Sequence, residues 1–146
     1  MRIEVTSGSL SDVLAEGFRA FNAPHVGPHG WTPIQLSVFR EGETRPAGGI
    51  VAHCYAAWVH VRMFWLPEDL RGQGLGARLL RRVEQDAAGR GCIGAYLDTF
   101  SFQARPFYEK QGYRQFGQLP DCPPGGARYF MMKRFDGARG ETHVQA

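Results

Sequence analysis

This chain of 146 residues lacks the marks of a covalent or metallic framework. Its three cysteines, Cys54, Cys92 and Cys122, are odd in number, far apart and without a Cys-x-x-Cys pair. That argues against a disulfide scaffold and against a zinc site. The five histidines are equally scattered, so no metal is expected. Missing too is any apolar run near the roughly 20 residues of a membrane helix, or a basic-then-apolar opening. A cytoplasmic protein with no membrane partner is the expectation. Basic residues outnumber acidic ones, 17 to 14, for a net charge of +3. They are spread from Arg2 to Arg139 without a basic run, so no nucleic acid is expected as partner.

What is present is apolar and aromatic. Hydrophobic residues make up 43% and aromatics 12%, enough for one packed domain and too few residues for two. The domain is expected over 1–135, with a polar tail over 136–146. Alternation and turn residues predict strands near 2–6, 33–40, 47–56, 58–66, 93–99, 113–118 and 127–134. A first helix capped by Ser9 or Ser11 would carry Val13, Leu14, Phe18 and Phe21. The stretch 22–33, with three prolines and two glycines, reads as an irregular loop.

The most informative residues are Arg71, Gly72, Gln73, Gly74, Leu75, Gly76 and Ala77. They lie between an apolar strand and a helix whose Leu75, Leu79, Leu80, Val83 and Ala87 share one face. Glycines without Cβ atoms let successive N–H groups converge on an anion at a helix N-terminus. The loop is not a Walker motif, because Ala77 and Arg78 follow Gly76 where Lys-Ser/Thr would be required. Nor does Gly72-x-Gly74-x-Gly76 match the dinucleotide spacing Gly-x-Gly-x-x-Gly.

Arg71, Gly74 and Gly76 instead fit the pattern Arg/Gln-x-x-Gly-x-Gly/Ala, which resembles the acetyl-CoA pyrophosphate loop of the GNAT superfamily of N-acyltransferases. Phe107-Tyr108-Glu109-Lys110-Gln111-Gly112-Tyr113 resembles the family's aromatic-Tyr-Glu-x-x-Gly-aromatic segment. Strand, glycine loop, helix, strand and tyrosine helix follow in the family's order over roughly 58–113. The resemblance implies an α/β (α+β) fold with a mixed, mostly antiparallel sheet of about seven strands, splayed between the fourth and fifth. It implies acetyl-CoA as co-substrate, and by analogy a homodimer as one option.

Site residues follow from the same resemblance. Phe64, Trp65 and Leu66 would pair their main chain with pantetheine, and the N–H groups from Gln73 to Ala77 would hold the pyrophosphate. Ser101 or Gln103 would take the place of an asparagine that contacts pantetheine. Tyr108 would protonate the departing sulfur, as a phenol near pKa 10 can do at neutral pH. His60 stands where related enzymes carry a base, with a sheet histidine as the plainer alternative; Glu41, Glu43 or a water chain could serve instead. Arg62, a permanent cation, cannot be the base. Simple alternation would set His60, Arg62, Phe64 and Leu66 on one face.

For the acceptor, Asp98 could pair with a substrate ammonium or cap a turn, and Asp121 could border the pocket or be a turn aspartate. Trp31, Tyr55, Trp58, Phe100 and Phe102 could line an apolar pocket or belong to the core. A small-molecule amine is the expected acceptor. Acetylation of a protein lysine or N-terminus, and a non-catalytic acyl-CoA-binding module, are the alternatives.

Overall fold

The computed structural model describes residues 1–135; the tail expected over 136–146 lies outside them. The chain runs α1 (Ser11–Val26), β1 (Thr32–Val38), β2 (Gly48–Tyr55), β3 (Trp58–Trp65), a short 3-10 turn (Glu68–Leu70), α2 (Leu75–Gly89), β4 (Gly94–Phe100), α3 (Arg105–Lys110), β5 (Arg114–Pro120) and β6 (Ala127–Arg134).

The six strands form one sheet in the order β1-β2-β3-β4-β6-β5. Every neighbouring pair is antiparallel except β3 and β4, which run parallel and pair only through Trp58–His60 and Gly94–Tyr96. Beyond His60 the two strands diverge. This is the splay expected between the fourth and fifth strands, now third and fourth because the segment 2–6 does not join the sheet. Ile3 and Val5 are fully exposed, so its alternation buries no face, and burial of one face is what fixes a strand's register.

Helix α1 also departs from expectation at both ends. Leu10 occupies the N-cap with no side-chain cap, and Ser9 donates its hydroxyl to Asp12 at 3.3 Å instead. At the other end the helix passes through Pro24 to Val26, where a loop was expected from residue 22. Proline removes one N–H but sits in the last turn, and the chain turns out only at Gly27, whose φ is 56°.

The core lies between one face of the sheet and α2. Leu79, Leu80, Val83 and Ala87 of α2 meet Ile50, Ala52, Val59, Val61, Leu97 and Met131. Each fully buried aliphatic side chain contributes about 1.5–3 kcal/mol, and the stripe's spacing fixes which side of α2 faces inward.

A β-bulge corrects the simple alternation of β3. Val51 pairs with Met63 and Ala52 with Val61, which leaves Arg62 as the extra residue. A bulge inserts one residue and reverses every side chain beyond it. Phe64 and Leu66 therefore turn to the core with Val59 and Val61, while Met63 and Trp65 are exposed.

Candidate active site

A cleft of about 430 Å3 opens where β3 leaves β4. Phe64, Trp65 and Leu66 line it from β3, and Arg71, Gly72, Gly74, Gly76 and Ala77 from the loop and the start of α2. Phe107 and Tyr108 of α3 and its flanking cap residues Ala104 and Gln111 complete it. Gly72 and Gly74 have φ of 73° and 80°, a left-handed backbone that other residues adopt at a cost. Gly74 is the N-cap of α2, so the helix's first, unpaired N–H groups open beside the glycines. Two side chains brace the loop: Arg71 donates from Nε to the Leu66 carbonyl at 2.7 Å, and Gln73 from Nε2 to the Asp69 carbonyl at 2.9 Å.

Tyr108 is 8% exposed and packs edge-on against Phe107 and Tyr113. Burial, and then the charge of Asp98, push its phenol up to about 12. It stays protonated across the neutral range and is a donor there.

The opposite face of the sheet carries a row of rings. Trp31 stacks on His53 at 5.7 Å, His53 meets His60 edge-on at 5.4 Å, and His60 lies parallel to Tyr96 at 4.6 Å. His60 and Tyr96 are partners at the last rung before the strands part. Burial lowers the pKa of His60 below the ordinary histidine value, against the pull of Asp98 and with the help of Arg62. His60 is thus neutral at pH 7 and able to accept a proton. Asp98, on the same side of β4 as Tyr96 by strand alternation, raises the pKa of both His60 and Tyr108. Arg128 holds the Asp98 carboxylate through a 2.6 Å contact from Nε.

This geometry coincides with a known family. The model of the acetyltransferase (GNAT) family matches residues 10–113. The chain belongs to that family. Acetyltransferase Atu2258 of Agrobacterium fabrum (strain C58 / ATCC 33970) is 30% identical over 90% of this chain and 96% of its own length. Blasticidin-S acetyltransferase of Streptomyces morookaense is 43% identical over 60% of this chain and 65% of that enzyme, just under two thirds of its length. An acetyltransferase from Bacillus cereus ATCC 14579, solved by crystallography, superposes with a TM-score of 0.77 at 30% identity, covering 91% of this chain and 98% of that one.

Against this GNAT frame, the residues singled out from sequence separate into groups. Arg71, Gly72, Gly74, Gly76 and Ala77 of the loop, Phe64–Leu66 and Tyr108 share the cleft, while Gln73 braces the loop and Leu75 packs on the adjoining core. Ser101 and Gln103 instead tie the β4–α3 turn: Ser101 Oγ accepts from the Ala127 amide at 3.0 Å, and Gln103 Oε1 from the Phe100 amide at 2.8 Å. Trp58 sits at the closed end of the splay, over Gly94 and under the Arg134 guanidinium. Asp121 accepts from the Gly125 amide within its own turn at 3.3 Å. Glu41 and Glu43 lie in the exposed β1–β2 turn, at the other end of β2 from His53. Phe100 and Phe102 stack on one another, while Trp31 and Tyr55 line a cavity beside α1.

His53 was not among the sequence candidates. Its signal was available: it alternates with the apolar Ala52 and Cys54, and a two-residue turn at Ala56 and Ala57 sets it opposite His60.

Proposed function

We propose that the protein transfers the acetyl group of acetyl-CoA to the primary amine of a small molecule, by direct attack in a ternary complex. One observation carries this reading: a single cleft joins the glycine loop to a buried, protonated tyrosine at the point where the sheet opens.

The residues present fit an acyl-CoA. The loop and the start of α2 offer N–H groups to a pyrophosphate. From Val61 to Trp65, β3 has no β4 partner, which leaves main-chain groups on that side for the amides of a pantetheine arm. Arg78, Arg81 and Arg82 line an adjoining cleft with Ser37 and Gln85, on the helix that starts at the glycine loop, and would serve the remaining phosphate charge. Acetyl-CoA supplies the activated thioester.

In the transfer, the amine nitrogen forms a bond to the thioester carbonyl carbon, and the carbon–sulfur bond breaks. Tyr108 gives its hydroxyl proton to the departing sulfur, and His60 takes the proton that the attacking nitrogen sheds. The neutral imidazole and the protonated phenol are the charge states each role needs. Likeness to an enzyme named for blasticidin S supports a small-molecule acceptor.

The test is CoA release from acetyl-CoA against a panel of amines and lysine peptides, with Tyr108→Phe in parallel. The expected result is turnover with a small amine and a loss of about 10²–10⁴ in kcat for the variant, at unchanged acetyl-CoA affinity. Full turnover by Tyr108→Phe with chemistry rate-limiting removes the tyrosine from the mechanism. Turnover confined to lysine peptides moves the acceptor to protein.

A further inference from the structure

On the face of the sheet that carries the row of rings, a cavity of about 880 Å3 lies between α1 and the strands. Phe18, Val26, Trp31 and Tyr55 give it apolar and aromatic walls, and Arg19, Asn22 and His53 contribute polar side chains. Asn22 donates to the Tyr55 hydroxyl at 3.0 Å, which ties α1 to the sheet across it.

Charge limits what this cavity can hold. Arg19 is the ionised side chain among its lining residues, and no carboxylate lines it. Arg62 is near enough to both His53 and His60 to lower their pKa values, and the carboxylate that acts on His60, Asp98, is already paired with Arg128. A polycation would meet two guanidiniums and no free carboxylate, an arrangement that costs affinity.

Shape and hydrogen bonding point the same way. Trp31 is 57% exposed and stacks on His53 with one of its faces, which leaves the other for a ligand ring. Nδ1 of His53 is buried without a hydrogen-bond partner, alone in this among the described residues. An unmade bond of that kind costs about 1–3 kcal/mol, and a bound molecule that turns this ring edge of His53 toward the cavity it lines would recover it. The row Trp31, His53, His60 and Tyr96 then leads from the cavity to the last rung before the splay.

We infer that this cavity selects the acceptor as a monoamine carried on a flat, largely apolar ring with one polar edge group, and that it turns away polyamines and aminoglycosides. Trp31 supplies the stacking face, His53 Nδ1 the polar contact, and the amine reaches past His60 to the thioester. The inference rests on the acetyl-transfer reading above and adds the substrate class and two specificity residues, Trp31 and His53.

The experiment is a steady-state comparison at saturating acetyl-CoA of 2-phenylethylamine, tyramine, hexylamine, spermidine and kanamycin, with calorimetric binding of each. Ring amines are expected to exceed spermidine and kanamycin in kcat/KM by at least about tenfold. Trp31→Ala should lose about 3–10-fold of the preference for ring over hexyl, with the KM for acetyl-CoA unchanged. His53→Phe should narrow the difference between tyramine and 2-phenylethylamine, and Arg19→Glu should raise the relative rate with spermidine. If spermidine or kanamycin matches the ring amines, the inference is overturned while acetyl transfer stands. If no amine is acetylated, acetyl transfer fails, and binding decides the cavity: saturable ring-amine binding lost in Trp31→Ala upholds it, and absence of binding overturns it.

Discussion

Tyr113 donates its hydroxyl to Oε2 of Glu84 at 2.7 Å, and Lys133 donates from Nζ to Oε1 of the same carboxylate at 2.8 Å. The carboxylate belongs to the core stripe of α2 and the lysine to β6, and the tyrosine stands three residues past the end of α3. Because the Tyr113 amide also donates to the Tyr108 carbonyl at 3.0 Å, the cluster fastens the segment that carries the proposed acid. Burial, and then Glu84, raise the Tyr113 phenol far above its usual value, so it acts as a permanent donor.

Removing all three groups should therefore cost less than the separate losses add up to. Tyr113→Phe leaves one carboxylate oxygen without its donor and should lower stability by about 1–3 kcal/mol. Lys133→Met leaves the carboxylate without its cation and should cost about 2–4 kcal/mol, short of a fully buried pair because Lys133 keeps some exposure. The triple variant with Glu84→Leu should lose less than the sum of the single effects. Urea unfolding of the four proteins measures this, and simple additivity would contradict the network.

Gly94 pairs with Trp58 at the closed end of the splay. A Cβ added there would lie 2.5 Å from the Trp58 ring and 2.7 Å from the Lys133 carbonyl oxygen. The expected cost of Gly94→Ala is about 1–3 kcal/mol from overpacking. Adding Trp58→Ala should restore part of that, since it clears the ring, but not all, since the carbonyl stays. Thermal melts of the single and double variants check both halves.

Local signals made the glycine loop, α2 and the tyrosine helix legible in the sequence. A glycine at a positive φ, an apolar stripe every three or four residues and a glycine past a helix end depend on near neighbours alone. The bulge at Arg62 was not legible, because an extra residue in β3 shows itself only against the register of β2. Phe64 was accordingly assigned to the wrong face. The segment 2–6 failed for a related reason: its alternation is strand-like, yet nothing local reports that Ile3 and Val5 find no surface to cover. Ser101 and Gln103 were expected to contact pantetheine; their side chains accept from the Ala127 amide of β6 and from the Phe100 amide at the end of β4, partners that a linear reading of 99–104 does not show.

The two histidines bear on pH. Burial comes first in lowering the pKa of both; His60 and Arg62 add to it at His53, and Arg62 adds to it at His60 while Asp98 opposes. A group whose folded pKa lies below its unfolded value near 6.5 contributes stability that is present above 6.5 and lost as pH falls through the folded pKa. The melting temperature should fall between pH 7.5 and pH 5. In the His53→Phe, His60→Gln double variant that slope should flatten, provided the variant folds at pH 7.5. An unchanged slope would assign the acid sensitivity to other groups.

Two glycines at the start of α2, the N-cap Gly74 and Gly76, about 3 Å apart along the axis by the helix rise, should respond oppositely to alanine. Gly74 has φ of 80° with open space around its Cβ position, so Gly74→Ala meets no clash but strains the backbone by about 1–2 kcal/mol. Gly76 is helical, and its added Cβ would meet the Phe107 and Phe64 rings at 3.5–3.6 Å, an ordinary contact. Gly76→Ala should gain about 0.5–1 kcal/mol from helix propensity. The open space at Gly74 is where the proposed pyrophosphate approaches the main chain, so Gly74→Ala should weaken acetyl-CoA binding by about tenfold or more, a loss of some 1.4 kcal/mol. Calorimetry with acetyl-CoA and urea unfolding of both variants separate the two effects. Should Gly74→Ala lose stability yet bind acetyl-CoA as the unmodified protein does, the strained turn shapes the fold and the phosphate lies elsewhere.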